Sequence, residues 1–277
     1  MVLPQIIQRN LIDRQGRRAE KLRISITDRC NFRCQYCMPS EGMKWLEKKN
    51  LLTYEEIFTL ATLFARLGIH HIRLTGGEPL VRKDVPVLVK ELSKIKEIQK
   101  LSLTTNGYFL PELAMPLYEA GIKVFNVSLD SLNPKRFYQI TRRDYHQRVL
   151  RGLQSLKDIP DCQIKLNVVI MKDMNEDEAL NFAQLARQNN YSVRFIEFMP
   201  IGSEDNWSSR LVVPGSELVK KINAIFPIEK VEMAGRNPAE IWKFSDGASG
   251  ELGFINSVSQ PFCKDCNRIR LTADGQL

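Results

Sequence analysis

Short runs rich in β-branched and apolar residues recur through the first 200 residues, each followed by a stretch whose apolar positions return every third or fourth residue. The runs are LRISIT (22–27), HIRLT (71–75), KLSLTT (100–105), IKVFNVSL (122–129), QIKLNVVI (163–170) and SVRFIEF (192–198). Between them lie the amphipathic stretches 54–68, 84–95, 111–121, 145–158 and 176–190. This alternation predicts parallel strands joined by helical crossovers. Thr53 with Glu56 makes a capping box ahead of the first helix, and Gly68 and Gly121 stand where glycines end helices.

Such α/β units form either an open doubly wound sheet or an incomplete barrel, and periodicity does not choose. Motif position favours the barrel. A cysteine loop, TGGEP, TTN, SLD and FMP follow the first, second, third, fourth and sixth runs, so polar motifs converge at the carboxyl ends of strands. Beyond Pro200 the pattern changes: IGSEDNWSSRLVVPGSE reads as loop, SELVKKINAIF as helix, and IEKVEM, EIWKF and LGFINSV as short strands. The expected division is therefore 1–200 as a partial barrel and 201–277 as an extension covering its mouth.

Composition changes this picture little. Hydrophobic residues make up 43% and charged residues 26%, ordinary for a globular protein. No apolar run is long enough to span a bilayer and the N-terminus lacks a secretory h-region, so a cytoplasmic protein is expected. The net charge of +8 permits an anionic partner, a nucleic acid or a phosphorylated small molecule. Five of the six cysteines fall into two groups, Cys30/Cys34/Cys37 and Cys263/Cys266, a distribution of metal ligands rather than disulfides; Cys162 stands alone and reads as a small buried or half-buried residue without a catalytic role.

In CNFRCQYCM three thiols share one loop without a fourth ligand at zinc-finger spacing. An iron–sulfur cluster held there keeps one iron open. This CxxxCxxC loop, with Tyr36 before its last cysteine, resembles the radical S-adenosylmethionine (SAM) superfamily. The resemblance implies a [4Fe–4S] cluster on Cys30, Cys34 and Cys37 whose open iron binds SAM, within a partial (β/α)6 TIM-like barrel. RLTGGEPL (73–80) matches the superfamily motif that contacts the SAM amino group, through Gly77.

PFCKDCNRIRLTADGQL, together with LTTNG, NVSLDSL, KLNVVIMK and FIEFMPIG, extends the resemblance to the MoaA family, the GTP 3′,8-cyclases of molybdenum cofactor biosynthesis. The family pattern implies SAM contacts from Tyr36, Gly77, Ser128 and Met199. It implies GTP contacts from Arg23, Arg73, Thr104, Lys165, Arg268 and Arg270, and a second [4Fe–4S] cluster on Cys263 and Cys266. Arginines suit a triphosphate, and Arg73 and Lys165 interrupt apolar strands, which is costly unless they face an anionic or solvated site. The family's third cysteine of the second site and its glycine-rich tail would fall beyond Leu277, so the chain reads as truncated with that site incomplete. Further partners implied are a low-potential electron donor, a MoaC-type cyclic pyranopterin synthase downstream, and a second copy in a homodimer. No membrane or nucleic acid is expected. Two other readings stay open: a peptide-modifying maturase with an auxiliary cluster, and a non-enzymatic zinc or nucleic-acid-binding protein.

Overall fold

The computed structural model describes residues 10–39, 41–200, 207–232 and 238–277. The six predicted runs form β1 (Lys21–Ser25), β2 (His71–Thr75), β3 (Lys100–Thr105), β4 (Val124–Ser128), β5 (Gln163–Ile170) and β6 (Ser192–Glu197), all parallel. Their helices are α1 (Tyr54–Arg66), α2 (Val85–Leu92), α3 (Leu110–Ala120), α4 (Pro134–Thr141), α5 (His146–Lys157) and α6 (Ala179–Asn189). The capping box at Thr53 and Glu56 is present, and Gly68 and Gly121 both have positive φ. α4 escaped the sequence reading because it is short and mostly polar, burying only Phe137, Ile140 and Thr141.

Beyond β6 come α7 (Gly215–Asn223), β7 (Ile228–Val231), β8 (Glu240–Phe244), β9 (Glu251–Ile255) and β10 (Arg268–Leu271). The sheet order is β10-β1-β2-β3-β4-β5-β6-β9-β8-β7, so the C-terminal strands lengthen it at both edges. β9 and β10 join in parallel, whereas β8 and β7 run antiparallel. Strands β1 to β6 follow one another without reversal. Right-handed crossovers in one direction put every helix on one face, and a sheet covered on one side curls. That decides for the partial barrel against the doubly wound sheet, whose order reverses at its centre.

The two faces of the sheet have opposite chemistry. Partners across parallel strands share a face, so Leu22, Ile72 and Leu101, like Ile24, Leu74 and Leu103, form rows beneath the helices. Each such fully buried side chain contributes about 1.5–3 kcal/mol. The alternate positions turn inward: Arg270, Arg23, Arg73 and Ser102 make one row, and Thr104, Asn126, Lys165 and Ser192 another. A parallel sheet is usually apolar on both faces. Here the concave face is polar and largely cationic, and it points toward the site.

Candidate active site

The loop bearing Cys30, Cys34 and Cys37 leaves the carboxyl end of β1. Cys37 and Met38 N–H groups donate to the Cys34 carbonyl at 2.9 and 3.0 Å, while Arg33 and Gln35 N–H groups donate to Thr141 and Ile140 carbonyls at 3.1 and 2.9 Å. Arg143 Nε reaches the Asn31 carbonyl at 2.9 Å, and Asn106 Nδ2 reaches Asn31 Oδ1 at 2.8 Å. From β2 the TGGEP turn closes on the same loop. Gly77 N–H donates to the Thr27 carbonyl at 2.9 Å and Glu78 N–H to the Arg29 carbonyl at 2.8 Å. A Cβ on Gly77 would lie 2.4 Å from both the Asp28 and Arg29 carbonyl oxygens. The close approach of Gly77 is to the backbone leading into Cys30.

Glu78, only 1% exposed, accepts from Leu80 N, Thr105 Oγ1 and Asn106 N at 3.1, 2.7 and 2.6 Å. Burial pushes its carboxyl up to about 7 in spite of those bonds. The thiols are shifted the same way: burial moves Cys30 up to about 11, Cys34 well above the usual range, and Cys37 upward. They stay protonated in the free protein and lose protons when they coordinate, because metal binding and deprotonation are linked. Among the described residues no three Cys, His, Asp or Glu side chains converge on a single-ion site. One loop with three soft donors, each able to take a different iron, fits a [4Fe–4S] cluster.

A cleft of about 310 Å³ opens on the concave face, lined by Lys21, Arg23, Arg73, Arg194, Arg268 and Arg270, with His71, Met199 and Phe262. Among the described residues no carboxylate lines it and none of these cations has an acidic partner within ion-pair distance. Arg23 Nε and Arg194 Nε are buried without a hydrogen-bond partner among the described residues. Burial first, then repulsion from neighbouring arginines, holds Arg23 down at about 10 and Arg73 at about 9. Burial, then the charge of Arg73, lowers His71 to about 3, and its Nε2 lies 2.9 Å from Ser102 Oγ.

Lys165 lines a neighbouring cavity of about 450 Å³ instead, with Lys100, Cys162 and Glu251; Arg194 belongs to both. Burial, followed by repulsion from Arg194, brings Lys165 down to about 7. Glu251 is engaged by Ser192 Oγ at 2.6 Å. Thr104 and Ser128 face inward by register and are half-buried, yet line neither cavity. Arg194 escaped the sequence reading although it interrupts SVRFIEF just as Lys165 interrupts QIKLNVVI. That interruption was the available signal.

Cys263 and Cys266 flank a single 3-10 turn, with Cys266 N–H on the Cys263 carbonyl at 3.3 Å. Arg17 Nη1 donates to the same carbonyl at 2.5 Å and is itself held by Asp13 Oδ2 at 2.6 Å. Burial would raise the Cys266 thiol, but hydrogen bonds to Arg268 and the charges of Arg268 and Arg17 carry it below the ordinary value. Cys266 precedes β10, whose Arg268 pairs with Lys21 at the start of β1; the other thiol loop follows the end of β1. The cationic cleft therefore lies between the two thiol groups.

Residues 24–186 match the model of the Radical SAM superfamily, and residues 191–277 the model of Molybdenum Cofactor Synthesis C. The fold agrees with the first: the solved structure of anSMEcpe with bound AdoMet superposes with a TM-score of 0.59 at 16% identity, over 75% of this chain and 58% of that one. A curved sheet with three cysteines at the exit of its first strand thus defines a radical SAM protein. The GTP 3′,8-cyclase of Geobacter sulfurreducens is 45% identical over 266 residues, 96% of this chain and 81% of that protein. That of Moorella thermoacetica is 47% identical over 262 residues, 94% and 80% of the two chains. The chain belongs to the GTP 3′,8-cyclase family.

Proposed function

We propose that this protein is a radical SAM lyase that converts GTP to 3′,8-cyclo-7,8-dihydro-GTP in molybdenum cofactor biosynthesis. The observation that carries the reading is the set of arginines on the concave face between two thiol groups, buried at Arg194 and half-buried at Arg23, Arg73 and Arg268, none with an acidic partner among the described residues. Leaving such charges without a counter-ion costs several kcal/mol, so the cleft is built for a polyanion. Cys30, Cys34 and Cys37 would hold a [4Fe–4S] cluster that, with SAM bound, would supply the one-electron chemistry needed to take the ribose 3′-hydrogen and join C3′ to guanine C8.

The chain's own residues bind and orient. Gly77 spends its N–H on Thr27, which leaves its carbonyl as the acceptor for the SAM ammonium. Tyr36 offers its ring, Ser128 a hydroxyl at the end of β4, and Met199 an apolar wall of the cleft. Arg23, Arg73, Arg268 and Arg270 grip the nucleotide, Thr104 adds a hydroxyl, and Lys165 joins through the lower cavity. Arg194, 9% exposed and lining both cavities, belongs with them. Cys263 and Cys266 are two ligands of a second [4Fe–4S] site at the guanine end.

The proposal includes the division at residue 200, which borders residues 201–206 outside the described set. It also includes a cytoplasmic setting, a homodimer, a low-potential reductant and a MoaC-type enzyme taking the product. Among the described residues no helix is long and apolar enough to cross a membrane. Anaerobic reconstitution with iron and sulfide, then turnover with SAM, reductant and GTP, tests the reading. Deoxyadenosine with a cyclised nucleotide supports it. Deoxyadenosine formed only with a peptide substrate, or zinc retained in place of iron, overturns it.

A further inference from the structure

Tyr36 stands immediately before Cys37, and its hydroxyl is already committed: it donates to Asp130 Oδ2 at 2.6 Å. The ring packs against a small apolar cluster of Ile140, Met171 and Phe198. A phenylalanine would fill that space equally well, so the hydroxyl serves the carboxylate. Asp130 is 4% exposed, and its other oxygen accepts from Val169 N–H at 2.9 Å. It has no cationic partner within ion-pair distance among the described residues. Burying a carboxylate in this way is expensive, and its two donors are what offset the cost.

The frame behind Asp130 is rigid. Asn175, fully buried, donates to the Asp130 and Val169 carbonyls at 2.7 and 2.8 Å and accepts from Met171 N–H at 2.8 Å. Glu178 accepts from Ser131 Oγ and Leu132 N–H, both at 2.6 Å. The residues following β4 are thus bolted to the connection between β5 and α6 independently of the cysteine loop. Upstream, that loop is tied through its backbone at Arg33 and Gln35. Tyr36 supplies a side-chain tether inside the turn that carries Cys34 and Cys37.

The geometry points to Asp130 as a positioning residue for the cluster-bearing loop, one that fixes Tyr36 and through it the orientation of Cys37 and of the ring offered to SAM. This rests on reading the loop as the radical SAM cluster site. The test uses anaerobically reconstituted full chain, wild type beside Tyr36→Phe, Asp130→Ala and Asp130→Asn. Its readouts are iron and sulfide content, the EPR spectrum of the reduced protein with and without SAM, and SAM affinity by equilibrium dialysis. Tyr36→Phe and Asp130→Ala are expected to bind SAM about tenfold more weakly and to lose or shift the SAM-induced EPR change. Asp130→Asn still accepts from Val169 and can donate to the phenol oxygen, so it stays close to wild type. Should Asp130→Ala fail to fold, Tyr36→Phe carries the test, because it leaves the Asp130 frame intact. Equal SAM affinity and identical spectra in Tyr36→Phe and wild type overturn the inference while sparing the radical SAM reading. A wild type that forms no EPR-active cluster overturns both.

Discussion

Cys30, Cys34 and Cys37 occupy a loop gripped from β2, β3 and α4, with burial pushing all three thiols upward. Cys263 and Cys266 flank one turn, tied by Arg17 and beside Arg268, and the Cys266 thiol is drawn downward. In the first region the fold supplies geometry and withholds compensating charge, so thiolates form there together with bound iron. In the second, hydrogen bonds from Arg268 and then the charges of Arg268 and Arg17 outweigh burial, and geometry is slight. The contrast separates a loop held rigidly by its neighbours from a turn that shares its arginines with the cationic cleft.

The hardest test exchanges one thiol at a time. Cys34→Ser is expected to abolish cluster loading at the first loop and bring deoxyadenosine formation to background. Cys266→Ser keeps SAM cleavage and loses the cyclised nucleotide. Measuring both products and iron content in each variant checks this; equal loss of deoxyadenosine in the two would erase the distinction between the regions.

Between the two loops, Arg73→Met removes a half-buried cation that has no acidic partner among the described residues. A charge-assisted contact to phosphate is worth about 1.5–3 kcal/mol, so GTP should bind about 10- to 100-fold more weakly. The unliganded protein should melt higher, because burial and repulsion that oppose the charge are gone. Calorimetry and thermal melting read the two signs. A variant that melts lower and binds GTP normally would make Arg73 a structural residue.

The rigidity of the first loop can be broken at Gly77. Its Cβ would meet backbone oxygens of Asp28 and Arg29 at 2.4 Å, and backbone cannot yield as a side-chain tip does. Gly77→Ala should cost about 2 kcal/mol in stability and lower iron loading at the first site, with Cys263 and Cys266 unaffected in thiol accessibility. Unchanged melting and iron content would mean that the TGGEP turn and the Cys30 loop are not in contact as described.

These effects show which parts of the molecule were legible in the sequence. β1 to β6 could be read because their outer positions are continuously apolar, and the barrel end that carries the motifs followed from where the motifs stop. α4 was hidden by its polar composition, and the pairing of β10 with β1 joins residues too distant in sequence for any local pattern. Arg194 lay within a run read correctly as strand, but which face it takes depends on register. Asp130 was visible only as the end of the SLD motif and Asn175 carried no signal, since a short polar side chain near a strand end ordinarily caps its own backbone. Only the tertiary arrangement turns them toward Tyr36 and the β5 backbone.

Lys165 gives the smallest effect and the sharpest sign. Burial, with Arg194 and Lys100 adding repulsion, holds its ammonium at about 7 against an ordinary 10.5. Between those values the unfolded chain binds the proton and the folded chain does not, so the stability of the unliganded protein rises with pH across that window. Glu78 and Asp130, raised by burial to about 7 and about 6, act below it with the opposite slope, since there the folded chain holds the extra protons. A triphosphate in the basin favours charged lysine, so binding takes up a proton and weakens as pH rises above about 7, by at most about tenfold per pH unit. Titrating GTP calorimetrically in buffers of different ionisation enthalpy measures the uptake, and Lys165→Met is expected to remove it. Proton uptake that survives the substitution would assign the effect to another group in the basin and leave Lys165 outside the phosphate's reach.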